Sequence, residues 1–157
     1  MKKKNIKLDC VDCWDMPTDE TKDYTMAFLN NLEPIWDMLD ISVIQNYSTE
    51  ASKLYEDNSL DFVFIDGDHS YEGVKIDFDL YSNILSDRGI IAIHDTDKEY
   101  EKGLIISEDA KKDYHKFDGP STFIEELGPE WKLFNFFNEG ILKSKPSSTG
   151  LTLIQHA

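Results

Sequence analysis

The run Leu60-Asp-Phe-Val-Phe-Ile-Asp-Gly-Asp-His-Ser-Tyr-Glu-Gly-Val-Lys-Ile-Asp-Phe78 changes its hydrophobic period part-way along. Its first six residues hold Phe-Val-Phe-Ile without polar alternation, which predicts a strand over Leu60 to Ile65 buried on both faces. From Tyr71 the apolar residues move to helical spacing. Val74, Phe78, Tyr81 and Leu85 fall on one stripe, so the pattern predicts a helix over Tyr71 to Leu85. Between the two lies a polar turn, in which Asp68 or Ser70 suits the helix cap.

Working outward, Asp87-Arg88-Gly89 reads as a turn into Ile90 to Ile93, a second doubly buried strand that ends at His94-Asp95. Upstream, Ile6 to Val11 reads as a strand ending at Asp12-Cys13-Trp14. Thr18 or Asp19 then caps a helix to about Leu39, with Tyr24, Phe28, Leu32, Ile35 and Leu39 at helical spacing. Pro34 should kink or divide it. Ile41 to Ile44 is a short strand and Thr49 to Glu56 a short helix. Downstream, residues 96–118 form a polar candidate mobile loop with some helix from Ser107 to Tyr114. Gly119-Pro120-Ser121 opens a helix over Thr122 to Leu127. Trp131 to Phe137 and Gly150 to Gln155 read as closing strands around a hairpin-like loop, Lys143 to Thr149. Strand–helix alternation followed by two late strands predicts a single α/β domain over residues 1–157. Its sheet should be mostly parallel and closed by an antiparallel pair.

With 16 basic and 31 acidic residues, the formal charge is −15. Such a surface repels phosphate backbones and anionic headgroups, so neither nucleic acid nor a membrane surface is the expected partner. The basic Lys2-Lys3-Lys4 reads as a solubilising start. No apolar run is long enough to span a bilayer, and residues 1–20 lack a signal peptide's apolar segment, so a cytoplasmic location is expected. Cys10 and Cys13 stand at CxxC spacing without a second pair, inside an expected strand rather than at a helix start. Coincidence is the better reading of that pair.

In sheets of this kind ligands gather outside the carboxyl ends of the strands. That rule selects Asp12, Ser48, Asp66-Gly-Asp-His69 and His94-Asp95. Carboxylates converging at one edge repel unless a cation or hydrogen-bond donors neutralise them. An oxygen-rich set suits Mg²⁺, Mn²⁺ or Ca²⁺ better than zinc. Asp68 is better read as part of the turn. His94 reads equally as a core-edge imidazole bonded to backbone.

The run Asp61 to Asp77, followed by Gly89-Ile-Ile-Ala-Ile-His-Asp95, resembles the class I S-adenosylmethionine (SAM)-dependent methyltransferases of small-molecule and sugar O-methylation. Val11-Asp12-Cys-Trp14, Phe28-Leu-Asn-Asn31 and Gly150-Leu-Thr-Leu-Ile154 extend the likeness over nearly the whole chain. The resemblance implies a Rossmann-like α/β sandwich. It also implies that Asp12 holds the ribose hydroxyls of SAM and that Tyr47 and Ser48 flank its adenine. Asp66, His94 and Asp95 would hold a divalent metal, Mg²⁺ first, and His69 would be the catalytic base. Where the catechol-type branch prefers a carboxylate, this chain has His94, which puts its role as a ligand in doubt.

The family's Gly-rich loop after its first strand has no counterpart here, since all eight glycines lie at Gly67 or later. The resemblance therefore implies an N-terminally truncated domain whose first strand and helix are missing. That strand is central in the family's sheet. The strands ending at Asp12 and Asp66 should then pair directly, or a partner chain or second copy should complete the sheet, because open rows of buried backbone groups are costly. Two functions follow. One is a metal-assisted O-methyltransferase acting on a small hydroxylated acceptor, such as a sugar or phenol. The other is a degenerate methyltransferase-like domain acting as an interaction or regulatory module. A metal-dependent hydrolase or hydroxylase reusing the same four side chains is a third.

Overall fold

A computed structural model describes residues 6–14, 24–97, 119–136 and 150–157. The expected helix start at 18–19, the 98–118 part of the polar loop and the 143–149 hairpin lie outside them. The chain divides into two compact units, Met1–Leu54 and Tyr55–Ala157.

In the first unit β1 (Lys7–Asp12) runs parallel to β2 (Asp40–Gln45), in register from Lys7↔Asp40 to Asp12↔Gln45. Parallel neighbours need a crossover, and α1 (Tyr24–Leu32) lies on it. Helix α1 stops at Leu32, short of the expected Leu39. Pro34 lacks the N–H that an α-helix requires and sits instead in a 3₁₀ turn, Glu33–Ile35. After β2, α2 (Ser48–Ala51) is a single turn continued by a 3₁₀ turn, Ser52–Leu54. Among the described residues of this unit only Leu32, Ala51 and Ser52 are buried.

The second unit is built on β3 (Leu60–Ile65), α3 (Tyr71–Ile84), β4 (Leu85–His94), α4 (Gly119–Glu126), β5 (Trp131–Phe136) and β6 (Leu151–His156). The sheet order is β3-β4-β6-β5. Strands β3 and β4 are parallel, while β6 runs antiparallel to both β4 and β5. The expected antiparallel closing pair is therefore present. One sheet face supplies Ile65, Ile91, Ile93 and Ile154, which pack with Val74 and Phe78 of α3 and Phe123 and Ile124 of α4. The helical stripe Val74, Phe78, Tyr81 and Leu85 is buried at every position. The Tyr71 hydroxyl donates to Glu126 at 2.5 Å and ties the start of α3 to the end of α4.

Two expectations are corrected. Strand β3 is not buried on both faces: Phe62 and Phe64 are more than half exposed, and so are Phe134 and Phe136 of β5. These side chains share the face opposite the helices, and an apolar run alone does not reveal which face is covered. Strand β4 also begins earlier than expected, at Leu85. Asp87-Arg88-Gly89 is an irregular stretch within it, because Leu60↔Leu85 is followed by Phe62↔Ile90. Turn residues here make a bulge instead of a chain reversal. Among the described residues β1 pairs only with β2, and β3 only with β4.

Candidate functional site

The parallel β3–β4 pair brings two strand ends together, and the polar residues following them converge. Asp66 and His69 come from the β3–α3 turn, and His94 and Asp95 from the end of β4. His94 Nδ1 lies 3.0 Å from Asp66 Oδ1 and 3.1 Å from Asp95 Oδ1. His69 Nε2 lies 3.4 Å from Asp66 Oδ1, and its Nδ1 lies 3.3 Å from Asp95 Oδ2. Each imidazole thus spans both carboxylates. Ligand atoms of Asp66, His69 and Asp95 all fall within 4.8 Å of one another. All four side chains keep partial exposure, between 22% and 44%, so a small ion or acceptor can reach them.

The β3–α3 turn is fixed by its own hydrogen bonds. Ser70 caps α3 by accepting the Gly73 N–H, and Asp68 accepts both the Ser70 N–H and its hydroxyl. Asp68 is therefore a turn residue, as its position suggests. A Cβ at Gly73 would come within 2.6 Å of the Asp68 side chain, so the turn needs glycine there. A Cβ at Gly119 would meet backbone atoms of His69, Ser70 and Tyr71 at 2.4 Å. The first residue of α4 thus presses directly on the peptide that carries His69.

At the other strand end Asp95 adopts φ 56°, a left-handed conformation that aspartate tolerates better than most residues. Residues adjacent on a strand normally point to opposite faces. The reversal lets His94 and Asp95 point to the same place. The Asp95 N–H donates to the Gly150 carbonyl at 3.0 Å. Next to it, the buried Thr152 hydroxyl links Thr96 and Asn135 Oδ1, at 2.8 Å each. Thr96, Asn135, Gly150, Thr152 and Gly119 all support the site and escape sequence reasoning. Asn135, Gly150, Thr152 and Gly119 lie far from it along the chain, and no local pattern shows that they reach it.

The residues expected on the cofactor side lie in the first unit. Asp12 ends β1, Tyr47 is the cap residue of α2 and Ser48 is its first residue. Asp12 and the residue before Tyr47 meet through the Asn46 N–H, which donates to the Asp12 carbonyl at 3.0 Å. The Asp12 carboxylate accepts the Trp14 N–H at 2.6 Å, with Trp14 held at φ 51° and its ring 5.7 Å from that of Phe28. Burial, and then the neighbouring Asp9 carboxylate, push the Cys10 thiol up from its ordinary value, which disfavours the reactive thiolate.

A family profile described as a methyltransferase domain matches residues 1–96, which include all seven expected site residues. The chain belongs to the methyltransferase-domain family. Among solved structures it is similar to a protein from Corynebacterium glutamicum, with 15% identity and a TM-score of 0.60. The alignment covers 96% of this chain and 61% of that one. It is also similar to the SAH-bound methyltransferase PaMTH1 from Podospora anserina, with 15% identity, a TM-score of 0.55 and coverage of 96% and 71%. A Staphylococcus aureus protein provisionally assigned as a caffeoyl-CoA O-methyltransferase matches at 14% identity and a TM-score of 0.61, with coverage of 98% and 76%. At these identities the likeness establishes the Rossmann-like fold. An uncharacterised protein of Sinorhizobium fredii is 43% identical over 49 residues, 31% of this chain and 5% of that protein. This methyltransferase-domain chain thus spans only part of the proteins it resembles. Among its described residues no helix is long and apolar enough to cross a membrane.

Proposed function

We propose that this methyltransferase-family chain carries the acceptor side of a SAM-dependent, divalent-metal-assisted O-methyltransferase. Its acceptor would be a small hydroxylated molecule, such as a sugar or phenol. One observation carries the reading: two carboxylates and two imidazoles converge at the carboxyl ends of β3 and β4, in a chain whose family transfers methyl groups.

The donor set fits a divalent cation. Asp66 and Asp95 supply anionic oxygens, an imidazole nitrogen lies within ligand spacing of both, and the side chains remain accessible. A bound cation, Mg²⁺ in the first instance, would polarise the acceptor hydroxyl and lower the cost of its deprotonation. His69 would receive the hydroxyl proton. SAM, when bound, would supply the methyl group to the acceptor oxygen, its sulfonium leaving as the neutral thioether. Most of the acceleration in such a displacement comes from holding oxygen, carbon and sulfur in line. Asp12 is suited to accept two ribose hydroxyls, with Tyr47 and Ser48 beside the adenine.

A second reading, an interaction module without catalysis, draws support from the exposed Phe62, Phe64, Phe134 and Phe136. On that reading a second copy or partner chain completes the sheet. Calorimetric titration of the full chain with SAM separates the two. The enzyme reading expects saturable binding that weakens about tenfold or more in Asp12→Ala, the loss of a hydrogen-bonded charge. Absence of binding at millimolar SAM would contradict it and favour the module.

A further inference from the structure

We infer that the open face of the second unit's sheet, turned away from α3 and α4, is where two copies of this chain associate. Association of this kind needs neither SAM nor a metal.

Side chains alternate between the two faces of a strand, and the register lines up those that share the open one. Phe64, Ala92, Leu153 and Phe134 stand side by side across β3, β4, β6 and β5. In the next row Leu151 lies between His94 and Phe136. The Phe64 and His94 rings, 6.2 Å apart between centroids, join the two rows. The apolar layer therefore runs across all four strands. Its most exposed members stand on the two outer ones, Phe62 at 58% and Phe64 at 52% on β3, Phe134 at 53% and Phe136 at 57% on β5.

Area and charge together favour a second copy as the occupant. A phenylalanine side chain offers on the order of 200 Å², so four that are half exposed present roughly 400 Å². With the partly exposed leucines and the rim, one copy offers roughly 500 to 600 Å², the upper end of what a monomer's largest apolar patch shows. Two such faces together remove about 1,000 to 1,200 Å² from water, which reaches the size at which specific interfaces begin. Sheets pack face to face readily, and a two-fold contact uses the same patch on both partners and closes after two.

The chain carries 31 acidic residues, yet none stands at the positions that share this face beyond the β4 bulge. The ionisable side chains there are His94 and Lys132. A basic partner would find no carboxylate on the face to recognise, and an acidic partner would meet a chain of formal charge −15. An uncharged face is matched by its own copy. The remaining obstacle is the long-range repulsion between two acidic chains, which salt screens: the Debye length falls from about 8 Å at 0.15 M to about 3 Å at 1 M. A dimer formed through this face should therefore tighten as salt is added.

Sedimentation of the full chain, without SAM or metal, over a roughly hundredfold range of concentration reads the association directly. The wild type should pass from monomer to dimer with a dissociation constant on the order of micromolar. Raising salt from about 0.15 M to about 1 M should tighten the dimer about tenfold or more. Phe62→Glu and Phe134→Glu, on opposite margins of the face, should each weaken it roughly thirtyfold or more, the loss of an aromatic anchor. Phe134→Leu should recover most of that loss. Ile76→Glu, the same kind of change at an exposed position of α3, should leave dimerisation as it is. Circular dichroism verifies that each variant is folded. A mixture of isotope-labelled and unlabelled wild type, free of any substitution, should show magnetic resonance contacts between copies from the four phenylalanine rings.

A wild type that stays monomeric overturns the assignment, and if it also binds no hydrophobic dye, another segment of the chain covers the face. Open-ended oligomers in place of a dimer overturn it in favour of pairing along strand edges. A dimer indifferent to both phenylalanine-to-glutamate variants, or weakened equally by Ile76→Glu, places the contact elsewhere. A dimer that loosens with salt is held by ion pairs and contradicts an apolar interface.

Discussion

The two units of this chain are built on different amounts of core. Among the described residues, Met1–Leu54 buries Leu32, Ala51 and Ser52 around one parallel strand pair. Tyr55–Ala157 closes a four-stranded sheet against α3 and α4, with Ile91, Ile93 and Ile154 at or below 1% exposure. The expected cofactor residues Asp12, Tyr47 and Ser48 stand on the lean unit. Asp66, His69, His94 and Asp95 stand on the packed one. Geometry can be stored only where packing resists its loss. The packed unit holds Gly119 hard against the His69 peptide. In the lean unit the expected ribose carboxylate is instead turned to its own chain, on the Trp14 N–H.

The largest expected effect that tests this contrast is a pair of truncations. Ile91→Ala, at the centre of the second unit, should cost about 3 to 4 kcal/mol in urea denaturation followed by circular dichroism. Val43→Ala, on half-buried β2, should cost less than about 1 kcal/mol. Equal costs would erase the distinction. Next is Gly119→Ala, whose methyl group meets backbone and not a movable side-chain end. Overpacking of this kind costs about 1 to 3 kcal/mol. It should also move the histidine proton resonances of His69 more than those of His156. Ser70→Ala should cost about 1 kcal/mol through loss of the α3 cap.

The pH dependence of the packed unit is the mildest test. Burial, and then the nearby Asp77 carboxylate, push the Tyr81 phenol up to about 12. A phenol raised in the folded state contributes fully below its ordinary value near 10, and that contribution is lost as pH rises from there through about 12. Denaturation midpoints should therefore hold up to about pH 10 and fall above it. Tyr81→Phe should flatten that fall, and an unchanged slope would show that another group governs it.

Much of this arrangement is legible in the sequence. The α3 stripe is visible because a helix with one covered face repeats its apolar residues at a fixed spacing. Pro34 marks the end of α1 because a missing N–H acts locally. Asp66, His69, His94 and Asp95 can be picked out together because strand ends in such a sheet share one edge. What stays hidden depends on contacts made across the chain. Phe62 and Phe64 belong to an apolar run, yet only the tertiary arrangement shows that their face is uncovered. Gly119 reads as an ordinary helix opener until its distance to the His69 peptide is known. The turn of Asp95 back toward His94 depends on Gly150, Thr96 and Thr152, and a pattern within β4 does not contain them.

The most direct test of the account is whether the packed unit holds a cation without help from the cofactor side. The full chain is titrated with Mn²⁺ in the absence of SAM, beside an Asp66→Asn, Asp95→Asn double variant and an Asp12→Ala variant. The account predicts one bound ion in the wild type and in Asp12→Ala, and none in the double variant. Binding that is absent from the wild type, that survives in the double variant, or that disappears with Asp12 would contradict it.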